Sequence, residues 1–460
     1  MPAPRFLERI KASRHPRDVL MVNSDRRISA EELFERSCFS PELNFHGKNV
    51  MILVHEAMAC AVSLIELDGV ANRVIICPPQ LPVSELEILA ERCAADFIIH
   101  DGEGSLNGSR LASGRKLVAF EFFPHLRPAP AGAEASETEW VLLTSGTTGV
   151  PKMVAHSFET LTSNIKRPKT EAATIVWASF NDTRRFSGLQ MFLQAVLTDS
   201  TLILRKHGDS VPEFLPMLAM EHATHVSGTP THWRKVLMFP GRSALKFQQI
   251  TLVGEIADQP LLDALHAEFP SANLTHIYGS TETGTGFSVH DGMAGFPKSL
   301  IGRNLSGAEF AVDGDKLKVR STRSAFGYVG TAHHLKDADG FIDTGDAVEL
   351  VGDRYRFLGR RSGTINVGGS HVHPEEVEGV LNSDPRVRLS RVTSRNNPFT
   401  GAILVADVVA DCVPEDRQLV SKSLIELCRR RLDGFKVPAI VKVVDDIAVS
   451  AAGKLERRNA

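Results

Sequence analysis

The stretch T-S-G-T-T-G-V-P-K at residues 144–152, directly after the apolar run Trp140-Val141-Leu142-Leu143, decides how this chain is interpreted. Its two glycines allow the backbone to approach an anion closely, and successive N–H groups of such a loop can form an anion-binding concavity. Four hydroxyls add hydrogen-bond donors, and Lys152 adds a mobile positive charge. The stretch therefore predicts a phosphate-binding loop.

The spacing of this loop differs from that of the common P-loop. A P-loop reads G-x-x-x-x-G-K-[ST], whereas here Val150 and Pro151 separate the second glycine from the lysine. A Ser/Thr/Gly cluster of arbitrary order would favour a solvated surface turn. The ordered string S-G-T-T-G-x-P-K instead resembles the phosphate loop of the adenylate-forming enzymes, the superfamily of acyl-CoA synthetases, carrier-protein adenylation domains and luciferase. A short stand-alone acyl- or aryl-CoA ligase is the nearest type.

Composition sets limits on the class of protein. The chain has 460 residues, of which 43% are apolar and 23% charged, which is typical of a globular protein of two or three domains. A formal net charge of −3 gives no electrostatic reason to expect nucleic acid or an anionic membrane as partner. The start lacks a signal-peptide core and no window resembles a membrane span, so we expect a cytoplasmic protein.

Strand and helix patterns alternate in two blocks, residues 49–100 and 174–268, which indicates two α/β halves with parallel sheets. Short apolar runs between glycines at 297–330 predict a small β-rich subdomain. A charged, glycine-flanked segment at 355–363 has the composition of a hinge. The expected fold class is α/β, with an N-terminal AMP-binding and acyl-pocket domain at residues 1–359 and a small mobile α+β domain at residues 360–460 that carries Lys454.

Two further motifs follow the phosphate loop in the order that the family shows. The string Y-G-S-T-E at residues 278–282 would, alone, also suit a Gly/Thr loop with a solvated glutamate, and T-G-D at 344–346 is common turn chemistry. The resemblance implies that Tyr278 packs on adenine, that Thr281 contacts the α-phosphate and that Glu282 holds Mg²⁺. It also implies that Asp346 binds the ribose, and that Arg360 reaches the nucleotide.

The tail S-A-A-G-K-L-E-R-R at residues 450–458 could be a frayed basic terminus, but it is similar to the family segment whose lysine acts in adenylation. The resemblance therefore gives the catalytic role to Lys454, together with Thr281 and Glu282. Gly368 and Gly369 resemble the glycines that line the pantetheine tunnel after the small domain rotates. Five motifs in family order, from about Val50 to Arg458, carry the resemblance.

The remaining predicted positions form two sets, both implied by the resemblance. The nucleotide-binding set consists of Thr144, Ser145, Gly146, Thr147, Thr148, Gly149, Lys152, Tyr278, Asp346 and Arg360. The acyl-pocket set consists of Arg185, Gly188, Val226, Gly228, Gly254, Gly279 and Gly284. Arg184 and Arg185 could contact a second polar group of the acid or could simply be solvated.

The resemblance implies ATP-dependent activation of a carboxylic acid to acyl-AMP with release of pyrophosphate, then transfer of the acyl group to the thiol of CoA. The phosphopantetheine of a carrier protein is an alternative acceptor, and a nucleotide-binding protein without turnover is a third possibility. Met153 stands where the family usually has glycine, and Ser362 where an aspartate is frequent, so both positions leave the domain rotation open. The sequence specifies neither the acid nor the oligomeric state.

Overall fold

A computed structural model describes residues 5–16, 18–102, 115–127, 136–144, 150–165, 175–331, 334–398, 400–450 and 453–457. Three large sheets account for most of the strands in these residues, and a three-stranded sheet lies in the C-terminal part of the chain, from Arg361 onward. The predicted mixed α/β class is confirmed.

The first sheet has seven strands. Their spatial order is Gly327–Tyr328, Lys152–Ser157, Glu139–Thr144, Arg73–Ile76, Asn49–Leu53, Phe97–His100 and Lys116–Ala119. The last five of these are mutually parallel, whereas Lys152–Ser157 is antiparallel to both its neighbours. Continuous apolar runs such as Val50 to Leu53 are almost fully buried, as expected for strands covered on both faces.

The second sheet has eight strands. Their spatial order is Gly284–Val289, Asn273–Ser280, Gln249–Val253, His225–Gly228, Val176–Ser179, Thr201–Leu204, Val19–Val22 and Arg27–Ser29. The six inner strands are parallel, and both edge strands are antiparallel. The predicted second α/β half therefore exists, although its sheet also recruits strands from near the N-terminus.

A third sheet is antiparallel throughout and contains the predicted β-rich segment. Its strands, in spatial order, are Phe296–Pro297, Arg354–Arg360, Ile342–Val351, Lys316–Ser321, Ala308–Asp313 and Asn304–Leu305. The sheet extends well beyond the expected 297–330, because Arg360 still pairs with Asp346 across two neighbouring strands. The hinge turn Arg361–Gly363 follows directly.

The C-terminal part consists of the three strands Val387–Asn397, Gly401–Ala410 and Ile440–Val443, with helices on one side. Two small pairs complete the strands, namely Ile365–Val367 with Ser370–Val372, and Arg36–Ser37 with His125–Leu126. The C-terminal part has its own apolar core around Val377, Val392 and Leu424.

The α-helices of the described residues are Phe6–Ser13, Ala30–Glu35, Ala57–Leu67, Val83–Arg92, Phe158–Thr162, Phe186–Leu197, Val211–Met220, Pro230–Met238, Gln259–Glu268, Pro374–Leu381 and Arg417–Arg431. The predicted capping box is present, since Ser29 and Glu32 satisfy each other's backbone N–H groups. Three helices, Phe6–Ser13, Phe186–Leu197 and Pro230–Met238, were not predicted. None of the described helices is both long and apolar enough to cross a bilayer.

The parallel strands determine where a site can form. Thr144 ends a strand of the first sheet, and Val253 and Ser280 end neighbouring strands of the second. Parallel strands of one sheet finish at a common edge. In open α/β sheets, the crevice outside the carboxyl ends of the strands is the usual position of a ligand.

Candidate active site

A cavity of about 1760 Å³ opens at these strand ends, between the large sheets and the C-terminal part. Eleven of the predicted residues line it, although they are widely separated in the sequence. They are Thr144, Lys152, Arg185, Gly254, Tyr278, Gly279, Thr281, Glu282, Asp346, Arg360 and Lys454. Lys152, Glu282 and Asp346 share this cleft, which the interpretation of the motifs requires.

The two ends of the predicted phosphate loop meet across an antiparallel pair. Thr144 and Lys152 are direct partners in neighbouring strands, and both line the cavity. Ser145, Gly146, Thr147, Thr148 and Gly149 lie outside the described residues. The Thr144 hydroxyl donates to Glu282 Oε1 at 3.5 Å, which joins the first motif to the second. The Lys152 ammonium lies 5.2 Å from the centre of the Tyr328 ring, a cation–π distance.

Tyr278, Asp346 and Arg360 form a connected polar group on one wall of the cavity. The Tyr278 hydroxyl donates to Asp346 Oδ2 at 2.6 Å, and Arg360 Nε lies 3.0 Å from Asp346 Oδ1. Arg360 also donates to the Thr344 carbonyl at 2.6 Å. Burial and then the negative Asp346 raise the pKa of the Tyr278 phenol well above its usual value, so the phenol stays a hydrogen-bond donor.

Aromatic rings fix the position of Tyr278. Its ring stacks with Phe287 and with Phe357, each at a centroid separation of 5.2 Å, and meets Phe310 edge-on. Phe287 and Phe310 are buried, while Phe357 borders the cavity. A flat, rigid, partly apolar surface therefore stands beside the carboxylate of Asp346, an arrangement suited to a base joined to a diol.

A buried histidine that was not predicted supports the Thr281 turn. His156 Nε2 lies 2.7 Å from the Thr281 carbonyl, which can only accept, and Nδ1 lies 3.0 Å from the Thr160 hydroxyl. Burial lowers the pKa of His156 to about 4, so the ring is neutral at pH 7. Nothing in the strand sequence K-M-V-A-H-S separates this histidine from an ordinary core residue, and its role emerges only from the tertiary contact.

Lys454 reaches the cavity from the C-terminal end of the chain. Its amine lies against Gly254, 3.7 Å from the place that a side-chain Cβ of residue 254 would take. The side chain is closely surrounded by protein but keeps water-accessible surface, because it faces the open cavity. Desolvation lowers the pKa of Lys454, and the nearby carboxylate of Glu255 opposes that change.

The two neighbouring arginines have different surroundings. Arg184 is buried, where it forms a two-point ion pair with Asp182 and donates to the carbonyls of Val54 and His55. Arg185 borders the cavity and donates to the Leu143 carbonyl at 3.3 Å. Of the two, only Arg185 is placed to meet a ligand. Trp233 packs in the core and donates to the Thr251 carbonyl, as a wall residue should.

Six predicted positions do not line the cavity: Gly188, Val226, Gly228, Gly284, Gly368 and Gly369. Gly188 lies in the helix Phe186–Leu197 and faces the loop before it, since an added Cβ would lie 2.1 Å from the Asp182 carbonyl oxygen. Val226 is a core residue. Gly368 and Gly369 lie at an exposed turn between two short strands, away from the cleft in this arrangement of the chain. The roles of these six positions in the acyl pocket and the pantetheine tunnel stay predictions.

The described residues contain no group of three or more His, Cys, Asp or Glu side chains that could hold a metal ion. Glu282 faces the cavity beside the Thr144 hydroxyl, a donor set of one carboxylate and one hydroxyl oxygen. Mg²⁺ is commonly held by one or two carboxylates together with substrate phosphates rather than by a complete protein cage. The residues present therefore fit a cation that arrives with a nucleotide.

Two family models match the chain. The model described as AMP-binding enzyme matches residues 9–328, and the model described as AMP-binding enzyme C-terminal domain matches residues 376–454. The chain belongs to the AMP-binding enzymes. This confirms the predicted family, while the predicted boundary between residues 359 and 360 lies between the two matches and stays a prediction.

Similar proteins agree with this assignment. The 2-succinylbenzoate–CoA ligase of Bacillus subtilis is 26% identical over 340 residues, which is 70% of this chain and 68% of that protein. A feruloyl-CoA synthase of Amycolatopsis is 28% identical over 82% of this chain and 80% of that protein. The fold matches a benzoate CoA ligase from Burkholderia xenovorans with a TM-score of 0.83 at 18% identity, covering 99% of both chains. These relatives agree with the predicted class, an AMP-forming acid–thiol ligase.

Proposed function

We propose that this AMP-binding enzyme is an acid:CoA ligase. In the first step, a carboxylate oxygen of the acid attacks the α-phosphorus of ATP, and the bond to pyrophosphate breaks. In the second step, the CoA sulfur attacks the acyl carbon of the mixed anhydride, and AMP leaves. The observation that carries the proposal is the meeting of Lys152, the Tyr278–Asp346–Arg360 group and Lys454 at one cavity.

Each wall of the cavity has a role in the first step. Tyr278 and its aromatic neighbours provide the surface for adenine, and Asp346 accepts from the ribose hydroxyls with Arg360 beside it. The loop residues 144–149 and Lys152 bind the outer phosphates, and Thr281 contacts the α-phosphate. Lys454 stabilises the negative charge that develops as the carboxylate and phosphate approach. No side-chain nucleophile is needed.

Glu282 would hold Mg²⁺, which when bound offsets the charge of the ATP phosphates. The Thr144 hydroxyl, at 3.5 Å, orients this carboxylate. Beneath it, His156 fixes the Thr281 carbonyl and so the shape of the turn that carries both residues.

The second step requires Lys454 to give way to the thiol. We propose that the C-terminal domain, residues 360–460, turns about the segment Arg361–Gly363 while Arg360 stays paired with Asp346, so that Gly368 and Gly369 line the path of the pantetheine arm. Their φ values of +60° and +90° suit a turn that a thin ligand passes closely. Met153 is buried in an apolar cluster and does not line the cavity, whereas Ser362 is exposed in the hinge turn at the cavity border.

We propose that Arg185 binds a second polar group on the acid. Its guanidinium is largely buried, and its side chain donates to a single carbonyl, that of Leu143, among the described residues. Arg185→Ala should raise KM for such an acid by about 10- to 100-fold, since a charged hydrogen bond contributes about 1.5–3 kcal/mol. The matched control is the same acid without the polar group. An equal rise in KM for both acids would contradict recognition of the polar group by Arg185.

Pyrophosphate release with ATP, Mg²⁺ and a panel of aryl, aliphatic and dicarboxylic acids tests the proposal. Acid-dependent release of pyrophosphate followed by CoA-thioester formation is the expected result. We place this activity in the cytoplasm, where both cosubstrates are available. Release that is followed by acylation of a holo carrier protein but not of CoA would favour the alternative acceptor. Nucleotide binding without release for any acid would indicate a protein that has lost turnover.

A further inference from the structure

Glu255 joins the C-terminal segment to the large sheets, and neither the sequence motifs nor the roles above include it. The residue follows the strand Gln249–Val253 and Gly254 and borders the cavity. Its Oε2 accepts the backbone N–H of Thr231 at 3.0 Å, and its Oε1 accepts the backbone N–H of Leu455 at 3.3 Å. One carboxylate thus links two segments that are more than 200 residues apart in the sequence.

The partner of one of the two oxygens, Thr231, lies in the same N-terminal part of the chain as Glu255. Thr231 is the second residue of the helix Pro230–Met238, where backbone N–H groups have no partner within the helix and the helix dipole favours a negative charge. The anchor leaves Oε1 directed at Leu455, the neighbour of Lys454. Glu255 is therefore fixed by the large sheets before the C-terminal segment arrives.

The segment that carries Lys454 is a tight turn with a second attachment. Ser450 N–H donates to the Lys454 carbonyl at 2.7 Å, and Gly453 N–H donates to the Ser450 carbonyl at 2.8 Å. The Thr229 hydroxyl donates to the Gly453 carbonyl at 2.7 Å. Gly453 also lies directly on the His232 ring, since an added Cβ would be 1.9 Å from its Cε1. Together with the bond from Leu455, these contacts hold Lys454 on both sides.

Glu255 also affects the charge of Lys454. The charged groups that face this amine are Glu255 and Asp346, which favour its protonated form, and Arg360 and Arg185, which disfavour it. Among these four, Glu255 has the largest influence on the Lys454 pKa, which burial lowers. Loss of the Glu255 charge should therefore lower the Lys454 pKa further.

We propose that Glu255 is a positioning residue for the first half-reaction: it holds the Lys454 turn in the place where the acid is adenylated. This role rests on the proposed function of Lys454 in adenylation. Because the Glu255–Leu455 hydrogen bond exists only while the C-terminal segment is docked, Glu255 should have no part in thioester formation from a finished acyl-adenylate.

The test compares Glu255→Ala and Glu255→Gln with the wild type in each half-reaction separately. Acid-dependent ATP–pyrophosphate exchange should fall about 10- to 100-fold in Glu255→Ala, while CoA-dependent consumption of synthetic acyl-adenylate should stay within about 2-fold. Glu255→Gln keeps an acceptor oxygen but loses the charge, so it should lose less rate. In both variants the alkaline limb of the exchange profile should move to lower pH. Equal losses in both half-reactions, or an unmoved limb, would overturn the proposal.

Asp446→Asn is the matched control, because the exposed ion pair of Asp446 with Lys235 also bridges the two parts of the chain but does not touch the Lys454 turn. It should leave both half-reactions and the pH limb unchanged. Hydrogen–deuterium exchange of residues 450–457 gives a readout that needs no turnover. Faster exchange there in Glu255→Ala but not in Asp446→Asn would support the positioning role of Glu255 even if no acid is turned over. Unchanged exchange in Glu255→Ala would refute that role.

Discussion

The two walls of the cavity are held in different ways. On the nucleotide side, Tyr278 stacks with Phe287 and Phe357, and Asp346 and Arg360 pair within a continuous sheet. On the opposite side, the Lys454 turn is attached by single hydrogen bonds from Thr229 and to Glu255. One wall is therefore part of a core, whereas the other is a polar contact between separate cores.

The wider contact between the two parts of the chain is polar as well. Arg234 pairs with Asp258, and the same carboxylate accepts from the Asn382 amide at 3.0 Å. Polar interfaces of this kind are typical of domains that move relative to one another, because water can replace each lost hydrogen bond. On the proposed mechanism, the nucleotide wall would persist through the reaction and the lysine wall would leave.

Replacement of Lys454 gives the sharpest test of this difference. Lys454→Ala should lower acid-dependent pyrophosphate release about 100- to 1000-fold, because a preorganised charge at the developing transition state is lost. Thioester formation from a preformed acyl-adenylate should continue, since the lysine wall has left by then. Unchanged pyrophosphate release in this variant would remove Lys454 from the mechanism.

Loss of a ring from the nucleotide wall should instead damage the fold. Phe287→Ala should lower the free energy of unfolding by about 3–5 kcal/mol, because the ring is buried against Tyr278, Phe296 and Phe310. Phe326→Ala, at a ring residue that is 60% exposed, is the control and should change stability by less than about 0.5 kcal/mol. Denaturant unfolding measures both variants; similar values for the two would mean that the wall is not a core.

Acid should destabilise the fold through three buried histidines, namely His156 under the Thr281 turn, His232 against Gly453, and His276 in the strand Asn273–Ser280. Burial lowers the pKa of His156 and of His276 to about 4 and that of His232 to about 3. Between pH 6.5 and those values the unfolded chain binds protons that the folded chain does not, so stability falls as the pH falls. Each histidine should cost about 2 kcal/mol at pH 5 relative to pH 7.

Unfolding free energies of His156→Gln and the wild type at pH 7 and pH 5 measure the share of one histidine. The variant should lose less stability between the two pH values than the wild type does. An identical loss would show that His156 is protonated in the folded protein.

The smallest expected effect concerns nucleotide affinity. Asp346→Asn keeps one acceptor for the ribose but loses the charge that pairs with Arg360, so KM for ATP should rise about 10-fold while KM for the acid stays unchanged. A rise in KM for the acid alone would place Asp346 on the wrong wall.

The sequence predicted what local patterns and motif order can encode. Local patterns predict the capped helix at Ser29 and the strands at 49–53 and 73–76, and the structure contains all three. The resemblance predicts that Lys152, Glu282 and Asp346 meet, and they line one cavity. The helix Phe186–Leu197 was missed because Ser187 and Gly188 near its start weaken the helical pattern that its apolar residues otherwise show.

Residues whose role depends on a distant partner were not predictable. His156 supports Thr281 across 125 residues, and Glu255 reaches Leu455 across 200. Neither residue lies in a motif, and no local signal distinguishes a carboxylate at the end of a strand from a solvated one. Gly188 and Gly254 could not be distinguished from the sequence for the same reason, since only the tertiary structure shows that Gly254 lines the cavity and that Gly188 faces the loop at Asp182.

The contact of Gly453 with the His232 ring has a practical consequence. A single methyl group at position 453 would occupy the space of the imidazole, so Gly453→Ala would exclude the docked turn. Such a variant would form thioesters only from acyl-adenylates that are added to it. The added adenylate, and not the enzyme's own selectivity for acids, would then determine which acyl group is transferred.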